Sequence, residues 1–402
     1  MKKRVAVMFG GRSPEHDVSI VTGLQALEAL DQQAYEAFPV YVATDGNWWT
    51  GEGLRDRSRY IPSEADYGTL QSVVLDTGAN PRGIGRLIQK RSGFSLFKPK
   101  TTEFDVALFA FHGLAGEDGR MQSVFDVANV PYTGMRPLAA AVFMDKATTK
   151  RVLAPTGIPQ LPYAVLDRPE SGLMPDAAAL QSQLKNLAFP LIVKPMRLGS
   201  SIGVARVTTI DELRAALPLI FRLDTQAIVE PFVENLVEYN VAVSGFGGKI
   251  ATSAIERPKR VEDLLSFREK YLQGGKAKIG SQKTPGQRSE GMLSLTRDIN
   301  PSLPAQAEAS LRNWAAECFK AVGGSGAPRI DFLSNERTGE IWLNEVNPCP
   351  GSLGFFLWEA APTPILFSQF LTHLIEEAFA LHRANQLPAD PTLPEARLFQ
   401  RE

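Results

Sequence analysis

The stretch "FPLIVKPMRLGSSIG" carries Lys194 at the end of an apolar run and then Gly199, Ser200, Ser201 and Gly203. Glycines let backbone N–H groups approach phosphate oxygens, and a lysine at a strand end adds a point charge for the same anion. Taken alone, the pattern is equally a strand followed by a turn of small residues. Farther on stands "PRIDFLSNERTGEIWLNEVNPCPG". If 328–334 and 340–346 pair as a hairpin, Asp331 and Glu345 fall on one face with Asn347 two positions beyond. Two carboxylates and an amide oxygen form a hard-oxygen set of the kind that holds Mg²⁺ beside nucleotide phosphates, with Mn²⁺ as a substitute. Acidic residues in a hairpin are most often simply solvated. At the amino end, "VAVMFGGRSPEHDVSI" follows two glycines with Glu15, His16 and Asp17. A phosphate cradle would not place negative charge there, and the residues by themselves leave open what kind of ligand this turn holds. Neither G-x-x-x-x-G-K-[ST] nor G-x-G-x-x-G after a strand occurs, which weakens a dehydrogenase reading.

These residues need a sizeable scaffold. A chain of 402 residues exceeds what one hydrophobic core usually fills. Lys+Arg 43 against Asp+Glu 44 leaves a net charge of -1, no footprint for nucleic acid or an anionic membrane, so small molecules are the expected partners. Cys318 and Cys349 are too few for a disulfide framework, and no apolar run reaches the roughly 18 residues of a membrane helix; a cytoplasmic protein is expected. The first third alternates strand-like and helix-like runs, which predicts an N-terminal parallel-sheet α/β domain over 1–134 with loops "FGGRSPEH" and "FHGLAGEDG" at the carboxyl ends of its strands. Residues 50–100 have weak periodicity and read as a variable elaboration. One long helix is expected over "GMRPLAAAVFMDKATTKRVLAPTGIP", opening a small central α+β unit over 135–232. The alternation of "VEYNVAVSGF" begins a C-terminal α+β unit with an antiparallel sheet, over 233–402. Within it, 257–303 is a long basic stretch of the kind that covers an active site or is disordered.

The lysine and glycine loop, taken with Asp331 and the Glu-x-Asn of Glu345 and Asn347, resembles the ATP-grasp superfamily and within it the D-alanine–D-alanine ligase family. The resemblance is carried in order by "VAVMFGGRSPEHDVS", "FHGLAGEDGRMQ", "PYTG", "MDKATTKRVLAPTGIP", "FPLIVKPMRLGSSIGV", "VEPFVENLVEYNVAV", "FREKY" and "RIDF…NEVNPCPG". It implies a three-domain ATP-grasp fold and an ATP- and Mg²⁺-dependent ligase that joins two small amino acids through an acylphosphate. By the same resemblance Glu15 binds the first amino acid's ammonium and His112 lies near its carboxylate. Lys146 and Lys194 contact phosphates, Ser201 belongs to the phosphate loop, Glu230 lies at the adenine edge and Glu238 takes the ribose hydroxyls. Asp331, Glu345 and Asn347 match metal ligands, and Arg329 with the backbone N–H of Gly351 matches the oxyanion partners. Ser200 and Tyr271 tie loops to Glu15, and Lys270 reaches the phosphates when the cover closes. Family members are often dimers, so a homodimer is a further expectation.

One segment departs. The family ending seats the second amino acid's carboxylate on a serine and a leucine; here "EVNPCPGSLGFFLWEA" places Phe356 at the serine position and Leu357 at the leucine. A phenyl ring donates no hydrogen bond to a carboxylate. The rings either face the C-terminal helix or rebuild the acceptor pocket. A ligase with another acceptor (a hydroxy acid, another amino acid or an amine) is therefore the runner-up, and a non-catalytic nucleotide-binding protein a third reading.

Overall fold

The computed structural model describes residues 2–60, 69–78, 82–90, 98–184, 186–259 and 297–386. Lys270 and Tyr271 lie outside the described residues.

At the amino end β1 (Lys3–Gly10), β2 (Tyr35–Val42) and β7 (Val106–Phe109) run parallel with β1 in the middle, and α1 (His16–Ala29) carries the crossover from β1 to β2. The expected parallel sheet is thus only part of what forms. β3 (Trp48–Thr50), β4 (Gln71–Leu75), β5 (Gly85–Gln89) and β6 (Thr101–Phe104) extend it by antiparallel pairing, in the order β6-β5-β4-β3-β2-β1-β7. The supposed elaboration over 50–100 supplies β4 and β5, two of these four added strands. Strands of three to five residues carry too few alternations to stand out from sequence, yet each is stabilised by the strand beside it. α2 (Arg120–Val127) follows β7 and packs Phe125 among Met8, Phe104 and Phe109 of this sheet.

The single long helix expected after Gly134 is two. α3 (Pro137–Met144) stops at Asp145, whose extended backbone and side chain begin α4 (Lys146–Leu153) by accepting the N–H of Thr148 at 2.9 Å. A short acidic side chain that satisfies a free helical N–H favours a new N-terminus over an unbroken helix. Lys146 therefore opens a helix instead of lying in the middle of one.

The central sheet is antiparallel, with order β10-β9-β11-β8 for β8 (Ala164–Asp167), β9 (Leu191–Pro195), β10 (Ala205–Val207) and β11 (Gln226–Pro231). It is backed by α5 (Ala177–Gln183) and α6 (Ile210–Leu223), whose Leu213, Leu217 and Phe221 fill its core. The third sheet contains β12 (Leu236–Phe246), β13 (Lys249–Pro258), β14 (Arg297–Ile299), β15 (Arg329–Asn335) and β16 (Ile341–Asn347), in the antiparallel order β14-β13-β12-β15-β16. Behind it packs α7 (Ala305–Ala321) through Leu311, Ala315 and Phe319, and α3 adds Ala139, Ala140 and Phe143 to the same core. The last helices, α8 (Phe355–Glu359) and α9 (Phe367–Ala384), bring Trp358, Phe370, Leu374 and Ile375 against Val5, Val7 and Phe9 of the first sheet. Among the described residues no helix is long and apolar enough to cross a membrane.

Candidate active site

The predicted hairpin forms. Cross-strand register sets Arg329 opposite Asn347 and Asp331 opposite Glu345, which brings all four onto one face. Immediately after Asp331 the register slips, so that Phe332 faces Leu343 and Asn344 is the extra residue of a bulge. Asn344 uses that position to accept a hydrogen bond from Lys194 Nζ at 2.9 Å through Oδ1. Asp331 is buried, clasped at both oxygens by Arg329 at 2.7 Å, and receives a third hydrogen bond from Asn347 Nδ2 at 2.8 Å. Burial pushes its carboxyl up to about 6 even though the Arg329 guanidinium opposes the shift. Farther along the same row Asn240 stands opposite both Asp331 and Glu256. One line of polar side chains, Glu345, Asp331, Asn240 and Glu256, therefore crosses four strands.

Cations from other elements answer these carboxylates. Lys146, at the first position of α4, pairs with Glu345 at 3.1 Å and donates to the carbonyl of Leu198 at 2.6 Å. Lys194 from β9 and Lys150 from α4 hold the two oxygens of Glu230 at 2.7 Å each, and all three side chains are almost entirely buried. Burial works against the charge on Glu230, but Lys194 and Lys150 outweigh it and keep the carboxyl below its usual value. For Lys194 burial is likewise outweighed, by Glu230 and then Glu345, and its pKa rises; for Lys150 burial wins and its pKa falls. Glu238 lies near enough to add to the field on Lys194. Lys150 escaped the sequence reading. Its signal was the i, i+4 spacing from Lys146, which puts both on one helix face.

The glycine loop after β9 folds back toward the amino end of the chain. Ser200 and Ser201 adopt left-handed backbone conformations, and Ser200 Oγ donates to Glu15 Oε1 at 2.5 Å. Glu15 is buried at the start of α1, whereas its sequence neighbour His16 turns away to Gly11 and Tyr41. Gly113 packs on Glu15: a β-carbon there would come 2.6 Å from Glu15 Oε2 and 2.3 Å from Ser13 Oγ.

His112 is buried, with Nδ1 at 2.8 Å from the carbonyl of Cys349 and Nε2 at 2.8 Å from Thr22 Oγ1. Only an Nδ1–H suits a carbonyl, so Nε2 accepts from the threonine hydroxyl; burial lowers the imidazole pKa to about 4 and keeps it neutral. Glu117, unremarked in the sequence, is buried beside it and accepts the backbone N–H groups of Gly113 and Cys349 at 2.5 and 2.8 Å. Burial first, and then the charge of Glu15, raise its carboxyl well above the usual range. His112, Glu117 and the Cys349 thiol have ligand-type atoms within 4.8 Å of one another. Both imidazole nitrogens and both Glu117 oxygens, however, already hold protein partners. Cys349 anchors both side chains through its backbone.

Thr22 also accepts the N–H of Ser352 at 3.0 Å, fixing the turn Gly351–Gly354 over α1. Leu357 is wholly buried in the core, and Phe355 stacks on Phe367 and Trp358 on Phe370, so these rings do face the C-terminal helix. Phe356 is the exception. Its ring carries the Arg297 guanidinium 4.7 Å from the centroid.

Residues 4–135 match the family model described as D-ala D-ala ligase N-terminus, and residues 152–376 the one described as D-ala D-ala ligase C-terminus. Curated relatives include the D-alanine–D-alanine ligase of Thermosipho africanus, 33% identical over 93% of each chain. That of Deinococcus radiodurans is 32% identical over 94% of this chain and 99% of its own. Among solved structures, the D-alanine–D-alanine ligase of Helicobacter pylori aligns with a TM-score of 0.68 at 27% identity, over 93% of this chain and 99% of that one. The VanG D-Ala:D-Ser ligase of Enterococcus faecalis aligns with a TM-score of 0.71 at 25% identity, over 94% and 100%. Three sheets converging on a lysine-lined, carboxylate-bearing face are the architecture of an ATP-grasp enzyme. The chain belongs to the D-alanine–D-alanine ligase family, whose members are ATP-dependent ligases.

Proposed function

We propose that the chain joins D-alanine to a second small amino acid, most simply another D-alanine, with ATP as the phosphoryl donor, in the synthesis of peptidoglycan precursors. The observation that carries this is Glu15, a buried carboxylate facing the substrate side and tied to the glycine loop by Ser200. A buried negative charge at that point suits an ammonium head rather than a phosphate. Lys146, Lys194 and Ser201 are assigned to the ATP phosphates, Glu230 and Glu238 to the nucleoside end, and Glu15 and His112 to the donor. ATP and amino acids as substrates support a cytoplasmic location, and dimerisation by analogy with the family completes the reading.

Asp331, Glu345 and Asn347 fit a divalent cation. They offer hard oxygen donors from one face, and Asp331 is buried among carboxylates whose charge a cation would relieve. Mg²⁺ held there supplies neutralisation of phosphate charge. In the chemical step a donor carboxylate oxygen takes the γ-phosphoryl group and ADP leaves, with Lys146 and Lys194 stabilising charge on the transferring oxygens. The acceptor amine then attacks the acylphosphate carbon, a proton leaves the nitrogen and inorganic phosphate departs. Arg329 and the Gly351 N–H are assigned to the developing oxyanion. His112, neutral and held by two partners, positions the Gly351 turn without moving a proton.

The test is phosphate release with ATP and Mg²⁺ over D- and L-amino acids, hydroxy acids and amines, with products weighed by mass spectrometry. D-Alanyl-D-alanine from D-alanine alone is the expected result. Silence with D-alanine alone but turnover of a mixed pair would shift the assignment to another acceptor, and no turnover of any pair would leave a nucleotide-binding protein. In Glu345→Gln turnover should vanish; intact turnover there would mean the metal face is misassigned.

A further inference from the structure

We infer that Glu117 is a positioning residue for the proposed reaction: its buried carboxyl fastens the loop beside the donor seat to the loop that carries Gly351, and so fixes how far the acyl carbon lies from its oxyanion partner. This rests on the ligase reading above, which assigns Glu15 to the donor and the Gly351 N–H to the oxyanion. Glu117 Oε2 accepts the N–H of Gly113 at 2.5 Å, and Oε1 accepts the N–H of Cys349 at 2.8 Å across 232 residues of chain. One oxygen therefore holds the glycine that packs on Glu15. The other holds the residue midway between Asn347 and Gly351.

The order Pro348-Cys349-Pro350 gives that second bond its leverage. Proline has a fixed φ and no N–H, so the arm from Asn347 to Gly351 is stiff, and Cys349 supplies the one backbone donor of its three central residues. A stiff arm held at its middle carries both ends with it. His112 Nδ1–H donates to the Cys349 carbonyl at 2.8 Å, which grips the same residue from its other side. Packing does not substitute for these bonds, because a cavity of about 30 Å³ lies against Glu117, Pro348, Cys349, Pro350 and Leu353 and leaves the arm room to shift.

The turn that presents Glu117 is itself braced. The Glu117 N–H donates to the Gly113 carbonyl at 2.9 Å, returning the bond its side chain receives from that residue, and Gln122 Nε2 donates to the carbonyl of Gly116 at 2.8 Å. Ion pairing does not account for a buried carboxyl here: the charges that act on it, Glu15 and Asp118, are both negative. Its chemical advantage is two acceptor oxygens, one for each N–H. A glutamine offers one oxygen, and its NH₂ would face an N–H.

Glu117→Gln should lower kcat for D-alanyl-D-alanine formation by about 100-fold, the scale of a misplacement of about 1 Å, while the KM for ATP stays within about twofold. A merely structural role would lower the melting temperature and leave the folded variant's kcat near that of the wild type, and that result overturns the inference. So does a rise in the ATP KM as large as the loss in kcat, which would mark a general disturbance of the site. Hydrogen exchange on the wild type gives a second measurement that does not depend on how the variant folds. A peptide over 347–351 contains two prolines, so the Cys349 amide is one of the few that report, and it should exchange at least about 100-fold more slowly than an open amide. Exchange at the open rate would show that no carboxyl holds it and would overturn the inference as well. If the wild type forms no ATP-dependent product, the ligase reading fails and the inference with it; a wild type that turns over beside an equally fast Glu117→Gln sinks the inference alone.

Discussion

Lys194, proposed to contact the ATP phosphates, is also placed to serve stability. Buried beside Glu230 and Asn344, it is half of an ion pair whose other half would be left with Lys150 alone if it were removed. Breaking a buried pair on one side usually costs about 3 kcal/mol or more. Lys194→Met should therefore lower stability by about that amount in denaturant unfolding and abolish ATP turnover. Adding Glu230→Gln should return much of the stability and none of the turnover, and a turnover surviving in Lys194→Met would remove the lysine from the phosphate site. Gly113 is the second case. Its positive φ of 72° and its contact with Glu15 leave no room for a β-carbon, so Gly113→Ala must displace the glutamate. The expected result is a donor KM raised by about tenfold or more with the ATP KM little changed; an unaltered donor KM would show that Glu15 does not seat the donor.

At the scale of elements, three features aim the site: the helix break at Asp145, the bulge after Asp331 and the left-handed residues of the glycine loop. Asp145 caps α4, and its second oxygen accepts from Arg197 Nε at 3.1 Å, which joins the helix start to the loop after β9. Asp145→Ala should cost about 1 kcal/mol of stability from the lost cap. It should also raise the ATP KM, because Lys146 hangs from that first turn; a stability loss with no change in the ATP KM would confine Asp145 to a structural role. None of these features has a periodic signature. A cap, a bulge and a left-handed pair are each decided by which free N–H, which partner strand and which neighbouring loop are available.

Over the whole molecule, the C-terminal helix closes the chain on itself. α9 packs against the first sheet, and its Glu377 accepts the N–H of Gly326 at 2.7 Å in the segment that leads into β15. Burial raises that carboxyl from 4.5 to about 7, against the pull of the Gly326 N–H and of Arg136. A folded-state pKa above the unfolded one contributes stability that is complete below pH 4.5 and is lost as pH rises through 7. Glu377→Gln keeps an oxygen for Gly326 and removes the titration. The variant should match the wild type near pH 5 and be more stable by about 1–2 kcal/mol at pH 8, once solvent screening of a half-buried group is allowed for. Melting temperatures across that range check it, and parallel curves would show that Glu377 stays ionised in the fold.

Much was settled by local order along the chain. The alternation in "RIDF" and "LNEVN" puts Arg329 with Asp331, and Glu345 with Asn347, on one face of their own strands, while the bulge at Asn344 is what sets Asp331 opposite Glu345. The apolar run of "FPLIVKP" makes a buried strand wherever it lands, and Lys194 travels with it. Tertiary structure alone decided the rest: that Ser200 reaches Glu15 across 185 residues, that Glu230 is enclosed by Lys150 and Lys194, that the backbone of Cys349 holds His112 and Glu117, and that Arg297 lies on Phe356. Each of these is a contact between elements distant in sequence. Its partners are chosen by how the three sheets and their loops meet, and no pattern within a single segment encodes that meeting.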